Sequence, residues 1–420
     1  MNFRVFLPLL LLPLTVSAVD WPQYRGPAGD GSTVARVVRL NPLKQVWKVP
    51  SDSGFSSFVT GGNRVFTLAL KEIEGAKQEA LLALDANTGR ELWAAPLNFA
   101  DYLDPKSGGN GAPDNNGGDG PRSTPTVDGA RVYTYSSHMA LSAFDAATGK
   151  VLWTHDVLKE NHGRNLSWDN ATSPLLEGGL LYIAGGGQGE AILAINPKDG
   201  SVVKKDFDEK ITHATPVAAT ILGQRQIIFF LQSGLLSVEP GTLKELWRYA
   251  FDYKVSTAAS PVVYNDIVYC SAGYGVGAGA ARIAKQGSTF TATELFRSHT
   301  NKPICNHWST PVVKDGYLYG MFQFKEYGKG PVKCVDIATG QVKWEKEGFG
   351  PGQVILAGDQ VLALSDRGDL VVIAPDPGAY KEVARAHVLE GKCWTMPIVA
   401  NGRIYARSTK EAVCIDVSGR

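Results

Sequence analysis

Residues able to bind a ligand recur in five short segments, each just ahead of a serine, threonine or methionine and a proline. The segments combine tryptophan, histidine, amide and cationic side chains, a mixture that suits an aromatic, hydrogen-bonding pocket. For the group, ordinary polar and packing residues at strand entries are an equal alternative, and for any single residue that ordinary role is favoured, so the prediction concerns the group. The candidate ligand-binding residues are Arg122, Trp168, Asn170, His213, Asn306, His307, Trp308, Lys392 and Trp394.

The sequence offers little support for common catalytic mechanisms or for a nucleic-acid partner. It contains no Gly-x-Ser-x-Gly elbow and no His-Glu-x-x-His pair. The glycines at 273–278 loosely match a dinucleotide fingerprint, but that fingerprint needs a strand-to-helix turn, and this stretch lies inside a repeat of strands. The net charge is +1, without a basic footprint for nucleic acid. No catalytic residue is predicted.

One stretch rich in glycine, asparagine and aspartate, 98–121, interrupts the pattern and is predicted to be a surface insertion. It carries Asp101, Asp104, Asp114 and Asp119, and its part 114–120 partly resembles a calcium-binding loop. The stretch lacks the ligand spacing and the closing glutamate of such a loop. A surface loop is therefore favoured over a metal site, and no metal ligand is predicted.

The candidate residues are positioned by a repeated signature: a small polar residue and proline, a short apolar run, a turn, and an apolar strand ending in tyrosine. Its prolines are Pro125, Pro174, Pro216, Pro261, Pro311 and Pro397. The intervals between them are 49, 42, 45, 50 and 86 residues, and the last is twice 43. Gln353 replaces proline in the missing copy, and an earlier copy without proline begins at Phe58. The spacing predicts eight units of four short strands, typical of a β-propeller.

A second signature, Asp-x-x-Thr-Gly-x-x-x-Trp, occurs at 85–93, 145–153 and 336–344, with weaker copies elsewhere. It predicts a hairpin whose glycine adopts the positive φ of a tight turn. A tryptophan on an outer strand buries a large apolar area and needs a partner for its indole N–H. The tryptophans predicted to dock blades together are Trp93, Trp153, Trp247 and Trp344.

The two ends of the chain are predicted to close the ring. The last repeat stops near Asp416 without an outer strand, whereas 43–49 forms a lone strand near the N-terminus. Donating that strand to the last blade would remove an exposed edge. The fold class is therefore all-β, an eight-bladed propeller of four-stranded antiparallel blades closed by an N-terminal strand. A seven-bladed ring with one weak repeat folded otherwise is the alternative.

The N-terminus predicts export. Residues 1–18 combine a basic start, an apolar run and a small-residue cleavage site, as in a secretory signal peptide. An irregular segment, 19–42, and the propeller, 43–420, follow. We expect a periplasmic or extracellular protein without a transmembrane span, and without a lipid anchor because no cysteine lies near the cleavage site. The five cysteines, none in a Cys-x-x-Cys pair, are predicted to be buried thiols: Cys270, Cys305, Cys334, Cys393 and Cys414.

With these repeats in view, the chain from about residue 43 onward resembles the PQQ-like, quinoprotein-type propeller superfamily. The Trp-Pro-Gln-Tyr-Arg-Gly-Pro stretch at 21–27 and the Gly-Lys-Cys-Trp-Thr-Met-Pro stretch at 391–397 resemble its secreted bacterial members. Dehydrogenases of that superfamily imply an acidic base, calcium ligands and usually a pair of adjacent cysteines near pyrroloquinoline quinone (PQQ). No such set maps onto this sequence. The leading hypothesis is therefore an exported, non-catalytic binding or scaffold module for a protein, peptide or glycan. A glycan would use Trp168, Trp308 and Trp394. The alternative is a PQQ-dependent alcohol or sugar oxidoreductase, with the quinone and calcium at the channel mouth.

Overall fold

The computed structural model describes residues 19–37, 40–101, 120–322 and 324–419. The predicted signal peptide, 1–18, and most of the predicted insertion, 102–119, lie outside these ranges. Within them the chain forms strands and one short helix, α1 (Val157–Glu160). The five cysteines are buried free thiols, which confirms that prediction. No helix in the described ranges is long and apolar enough to cross a membrane.

Eight separate sheets form the blades, numbered here in chain order, so the all-β eight-bladed prediction is confirmed and the seven-bladed alternative is wrong. Two strands precede blade 1: β1 (Ser32–Thr33) and β2 (Lys44–Pro50). Blades 1 and 2 contain β3 (Val59–Gly61), β4 (Arg64–Ile73), β5 (Ala76–Asp85), β6 (Glu91–Phe99), β7 (Thr126–Asp128), β8 (Arg131–Tyr135), β9 (Ala140–Asp145) and β10 (Val151–Asp156). Blades 3 and 4 contain β11 (Leu175–Glu177), β12 (Leu180–Ala184), β13 (Ile192–Ile195), β14 (Val202–Asp206), β15 (Val217–Ile221), β16 (Gln224–Leu231), β17 (Gly234–Val238) and β18 (Glu245–Ala250).

The remaining blades repeat the same antiparallel order from the inner to the outer strand. Blades 5 and 6 contain β19 (Val262–Tyr264), β20 (Ile267–Ala272), β21 (Gly277–Gln286), β22 (Thr289–Ser298), β23 (Val312–Lys314), β24 (Tyr317–Met321), β25 (Val332–Asp336) and β26 (Val342–Lys346). Blades 7 and 8 contain β27 (Gln353–Ala357), β28 (Gln360–Leu364), β29 (Asp369–Ala374), β30 (Lys381–His387), β31 (Ile398–Ala400), β32 (Arg403–Arg407) and β33 (Glu411–Asp416).

The fourth strand of blade 8 comes from the N-terminus, which confirms the predicted ring closure. Strand β2 pairs antiparallel with β33, and Trp47 lies opposite Cys414. The indole of Trp47 donates to the carbonyl of Ala86 in blade 1 at 3.0 Å. Closure therefore joins both ends of the chain and also packs blade 8 against blade 1.

The Asp-x-x-Thr-Gly turn owes its form to one aspartate. In blade 1, Oδ1 of Asp85 accepts hydrogen bonds from the backbone N–H groups of Asn87 and Thr88 and from the Thr88 hydroxyl. Gly89 then adopts a φ of +71°, which favours glycine. The equivalent turn after β9 repeats these bonds around Asp145. A short local sequence thus specifies this turn wherever it recurs.

Aromatic side chains of the outer strands pack against the next blade. Trp93 contacts Gly149 and Trp153 contacts Gly200, so closely that a Cβ atom on either glycine would lie 2.6 Å from the indole. Trp344 donates to the carbonyl of Asp376 in blade 7 at 2.7 Å. Trp247 packs in a core shared with blade 5, but its indole donates to Gln226 of its own blade.

Two docking residues were not predicted. Trp47 of blade 8 contacts Gly89, and Phe296 of blade 5 contacts Gly340. Phe296 lies opposite the small residue Ala280 in its sheet, as Trp93 lies opposite Ala83. A rule that demands tryptophan misses Phe296, although the site needs only a large flat ring beside a small partner.

The N-terminal segment, predicted only to be irregular, enters the central channel. The N–H of Trp21 donates to the hydroxyl of Thr60 on the innermost strand of blade 1, and its side chain is fully buried. Strand β1 pairs in parallel with β27, the innermost strand of blade 7. The guanidinium of Arg25, 2% exposed, donates to the carbonyls of Thr310 and Pro311 at 3.2 and 2.9 Å. Residues 19–33 therefore lie across the channel through contacts with several blades, and we call them the plug.

Candidate functional site

A cavity of about 410 Å³ opens where loops enter the innermost strands, and the plug contributes Tyr24 to its lining. Because the plug bonds to the inner strands of blades 1 and 7 and to the strand entry of blade 6, it crosses the channel, and we describe the cavity as a cup rather than a pore. Its volume falls within the range typical of small-ligand sites. Its aromatic and histidine lining residues are Tyr24, Phe55, Trp168, His213, Tyr274, His307, Trp308, Tyr327 and Trp394.

Six of the nine predicted ligand-binding residues line this cavity: Arg122, Trp168, His213, His307, Trp308 and Trp394. A seventh, Lys392, lies at its edge, with Nζ 4.4 Å from the ring centroid of Trp394. The structure thus brings together side chains from loops that are far apart in sequence.

Asn170 and Asn306 do not line the cavity. The amide of Asn170 donates to the carbonyl of Ser136, and its oxygen accepts from the N–H and hydroxyl of Thr172. The amide of Asn306 donates to Met321 and accepts from the hydroxyl of Tyr269. Both side chains are buried and hold loops in place, so the structure assigns them bracing contacts rather than a place in the cup.

Sequence reasoning missed several lining residues: Tyr24, Phe55, Tyr274, Lys325 and Tyr327. Tyr274 lies in the glycine-rich stretch that only weakly matches a dinucleotide fingerprint. Lys325 and Tyr327 lie in the loop between β24 and β25, whereas the predicted site residues all lie in loops before innermost strands. The unusual length of that loop, from 322 to 331, was the available signal.

Trp394 is the centre of one aromatic wall. Phe55 stacks against it with ring centroids 5.3 Å apart and an interplanar angle of 23°. Tyr327 stacks at 5.6 Å and 13°, and Trp308 lies 4.8 Å away. Offset stacking of this kind stabilises the wall beyond the area it buries. The wall therefore presents several flat apolar faces held at fixed angles.

Three lining residues adopt a backbone conformation that side-chain-bearing residues rarely take. The φ angles are +68° for Trp168, +59° for Tyr274 and +54° for Lys325. Such conformations cost free energy and are concentrated at functional sites, where surrounding contacts enforce them. Trp168 and Tyr274 also stack on one another with ring centroids 6.3 Å apart. The strained residues Trp168 and Tyr274 thus form a second aromatic wall of the cup, opposite the one centred on Trp394.

The inner rim is bonded from blade to blade through the hydroxyls of the proline signature. In each case the backbone N–H of one residue donates to the hydroxyl of its counterpart in the next blade. The donor and acceptor pairs are Met396 to Ser57, Ser57 to Thr124, Thr124 to Ser173, Ser173 to Thr215, and Ser260 to Thr310. This explains why a hydroxyl precedes the proline, and it gives the cup a rigid base.

Both lining histidines are neutral near pH 7. Burial lowers the pKa of His213 to about 4 and that of His307 to about 3. Since the carbonyl of Ser167 only accepts, Nε2 of His213 carries the proton and donates to it at 3.0 Å. The hydroxyl of Ser256 then donates to Nδ1 at 3.1 Å. The histidines therefore contribute polarity but no charge to the cup.

We expect acidification from pH 7 to pH 5 to destabilise the protein by about 2 kcal/mol for each of these histidines. Their ordinary pKa of about 6.5 applies to the unfolded chain, which therefore takes up protons that the folded state excludes. Stability is unaffected above pH 6.5 and falls as the pH drops towards the lowered values. Denaturant unfolding of wild type and His307→Phe at both pH values measures the effect. An unchanged pH slope in the variant would contradict this assignment.

The cationic side chains of the cup come from three different loops. Arg122 donates to the carbonyl of Trp168 at 3.2 Å and lies over the ring of Phe55. Nζ of Lys325 lies 5.0 Å from the centroid of Tyr274. Burial lowers the pKa of Lys392 at the edge. No aspartate or glutamate is among the described residues that line the cavity. The mouth therefore carries local positive charge on a chain whose net charge is only +1.

A family profile described as outer membrane protein assembly factor BamB matches residues 76–346 of the chain. The chain belongs to this family. The BamB protein of Yersinia pestis is 22% identical over 300 residues, which cover 66% of this chain and 69% of that protein. Across the curated relatives that match, the aligned share of the relative's own length is 61%, 69% or 63%.

Solved structures share the fold with this BamB-family propeller. BamB from Moraxella catarrhalis superposes with a TM-score of 0.60 at 15% identity, covering 89% of this chain and 97% of that one. The quinohemoprotein alcohol dehydrogenase of Comamonas testosteroni superposes with a TM-score of 0.64 at 12% identity, covering 96% and 81%. At these identities the similarity establishes the fold alone. Any inference about ligands or reactions has to come from the residues that line the cup.

The donor set of the cup does not suit a calcium-bound quinone. Calcium binds oxygen ligands, chiefly carboxylates, and the described lining supplies none. Across the described ranges, no cluster of three or more His, Cys, Asp and Glu side chains is arranged to hold a metal ion. The residues present therefore do not fit the quinone–calcium group, and no redox step is assigned to them.

Proposed function

We propose that this BamB-family propeller is an exported, non-catalytic binding module that uses the channel-mouth cup to hold the end of a partner molecule. The observation that carries the proposal is the cup itself: stacked aromatic walls, two lining cations with a third at the edge, and strained backbone at one blind cavity. The family description, an outer membrane protein assembly factor, supports a binding role over a catalytic one. We further propose that the partner meets the protein outside the cytoplasm.

The nearest approach to catalytic machinery in the cup supports this proposal. Ser256 and His213 form a hydroxyl–imidazole pair, the arrangement that activates a serine nucleophile. An effective general base has a pKa near the working pH, whereas burial lowers that of His213 to about 4. The imidazole also donates to a carbonyl rather than to a carboxylate. We therefore assign this pair a structural role.

Site-specific photo-crosslinking in the exporting cell tests the proposal. A benzophenone amino acid replaces Tyr327, which is 41% exposed at the mouth, or Leu222, which is 46% exposed on a turn between the first two strands of blade 4. We expect a defined adduct from the Tyr327 position only. Equal labelling of both positions, or none at the mouth, would overturn the proposal. One-to-one binding of PQQ and calcium with dye-linked alcohol oxidation would replace it with the oxidoreductase.

A further inference from the structure

We infer that the cup binds the terminal uronic-acid unit of an acidic saccharide. The inference rests on the proposed binding function and specifies its ligand class. The ligand needs a carboxylate to meet the cations of the mouth, a flat C–H surface to meet the aromatic walls, and an end that fits a blind cavity. A uronic-acid ring at the end of a chain combines all three.

The charge requirement comes from two lysines that form no ion pair with a described carboxylate. Among the residues that the structure describes, no aspartate or glutamate oxygen lies within 4.0 Å of the ammonium group of Lys325 or Lys392. Glu326 lies 3.6 Å from Lys302. Asp366 accepts from the N–H of Gly328 at 2.7 Å and is close enough to raise the pKa of Lys392, against the effect of burial, but it forms no ion pair with that lysine. An anionic ligand would therefore gain charge-assisted hydrogen bonds without displacing an ion pair.

Both ammonium groups are held against aromatic rings instead. Nζ of Lys392 lies over Trp394 at 4.4 Å and over Tyr327 at 5.6 Å. Nζ of Lys325 lies over Tyr274 at 5.0 Å and over Phe324 at 5.3 Å. Cation–π contacts position the charges but do not neutralise them. The two lysines thus approach the cup from opposite aromatic walls, each beside a stacking face.

The walls suit a saccharide ring. The C–H groups on one face of a pyranose carry slight positive charge and pack against the electron-rich face of an indole. Trp168, Trp308 and Trp394 all line the same cavity, so a ring entering it meets an indole from more than one direction. Stacking of this kind supplies affinity, while the cations select the acidic sugar over a neutral one.

The composition of the cup favours a saccharide over an acidic peptide. A peptide end brings backbone N–H groups into the cavity, and each needs an acceptor once it is buried. The described lining has no carboxylate to accept from such groups. Sugar hydroxyls both donate and accept, so they can be satisfied by the donors that the cup offers.

Isothermal titration of the purified propeller tests the inference with three probes: a galacturonic acid trimer, the neutral galactose trimer and an acidic peptide. We expect the acidic trimer to bind at least about tenfold more tightly than the neutral one, the effect of a charge-assisted hydrogen bond. Lys325→Met and Lys392→Met should each weaken binding of the acidic trimer by about fivefold to tenfold. Lys329→Met, an exposed lysine of the same loop that does not line the cup, should leave it unchanged.

Equal affinity for the acidic and neutral trimers would overturn the inference, as would loss of binding in Lys329→Met equal to that in Lys325→Met. Tighter binding of the acidic peptide would replace the saccharide with a protein partner. Binding of none of the probes, together with a defined adduct at the Tyr327 position, would overturn the ligand class and leave the binding function standing. If none of the probes binds and no adduct forms at the Tyr327 position, the ligand class and the binding function are both overturned.

Discussion

Arg407→Ala will lower the free energy of unfolding by about 3–5 kcal/mol, one of the two largest effects we expect from a single substitution. Arg407 lies in β32 of blade 8 and is fully buried. Its guanidinium donates to the carbonyls of Ser56 and Leu68 at 3.3 and 2.9 Å and to the hydroxyl of Thr67 at 2.8 Å. Burial lowers its pKa to about 10, so the group stays charged at neutral pH. Truncation removes these charge-assisted bonds across the seam where the ring closes.

Arg282→Ala is the matched control for this substitution. Arg282 is half exposed on blade 5 and pairs with Asp266 of the same blade at 3.3 Å. Exposed ion pairs contribute about 0–1 kcal/mol. Denaturant unfolding of both variants measures the difference. Equal losses would mean that the seam contributes no more than an ordinary surface ion pair, contrary to the proposed importance of ring closure.

Trp153→Ala is the second substitution with a large expected effect, a decrease of about 3–5 kcal/mol in the free energy of unfolding. The indole of Trp153 packs on Gly200 of blade 3, and its N–H donates to the carbonyl of Pro197 at 3.1 Å. Truncation leaves a cavity between blades 2 and 3 and removes that hydrogen bond. A melting temperature equal to that of wild type would show that outer-strand tryptophans do not hold the blades together.

Two glycine substitutions separate this packing from backbone strain. Gly200 and Gly241 have nearly equal φ angles, +78° and +79°. A Cβ atom at Gly200 would lie 2.6 Å from Trp153, whereas one at Gly241 would meet nothing within 4 Å. Gly241→Ala should therefore cost only the strain of a positive φ, about 1 kcal/mol. Gly200→Ala should lower the free energy of unfolding by distinctly more. Equal losses of stability in thermal unfolding would contradict a stabilising contact between Gly200 and Trp153.

The candidate site was only partly predictable, for reasons that particular residues make plain. Repeat spacing identified loops that share one face of the ring, and so it found Trp308 and Trp394. It could not tell that Asn306, adjacent to His307, turns its amide towards Tyr269 and Met321. Side-chain direction at a strand entry depends on non-local partners, which periodicity does not contain. Lys325 was missed because its loop precedes a different strand of the blade.

The architecture was determined by the sequence itself. Strand periodicity, the Asp-x-x-Thr-Gly turn and the spacing of the prolines are short-range signals, and each specifies the same hairpin wherever it occurs. Counting them predicted the number of blades, and the missing last strand predicted closure by the N-terminus. The packing of Trp93 and Trp153 also follows from this local code, because the turns place Gly149 and Gly200 where these indoles pack.

The tertiary structure alone decided that the ring has a blind, positively charged cup. The plug depends on Arg25 reaching the carbonyls of Thr310 and Pro311, residues 285 and 286 positions away. The charge of the cup depends on a described lining without acids and on histidines that burial keeps neutral. Such properties arise from residues distant in sequence and from desolvation, which exist only once the ring has closed.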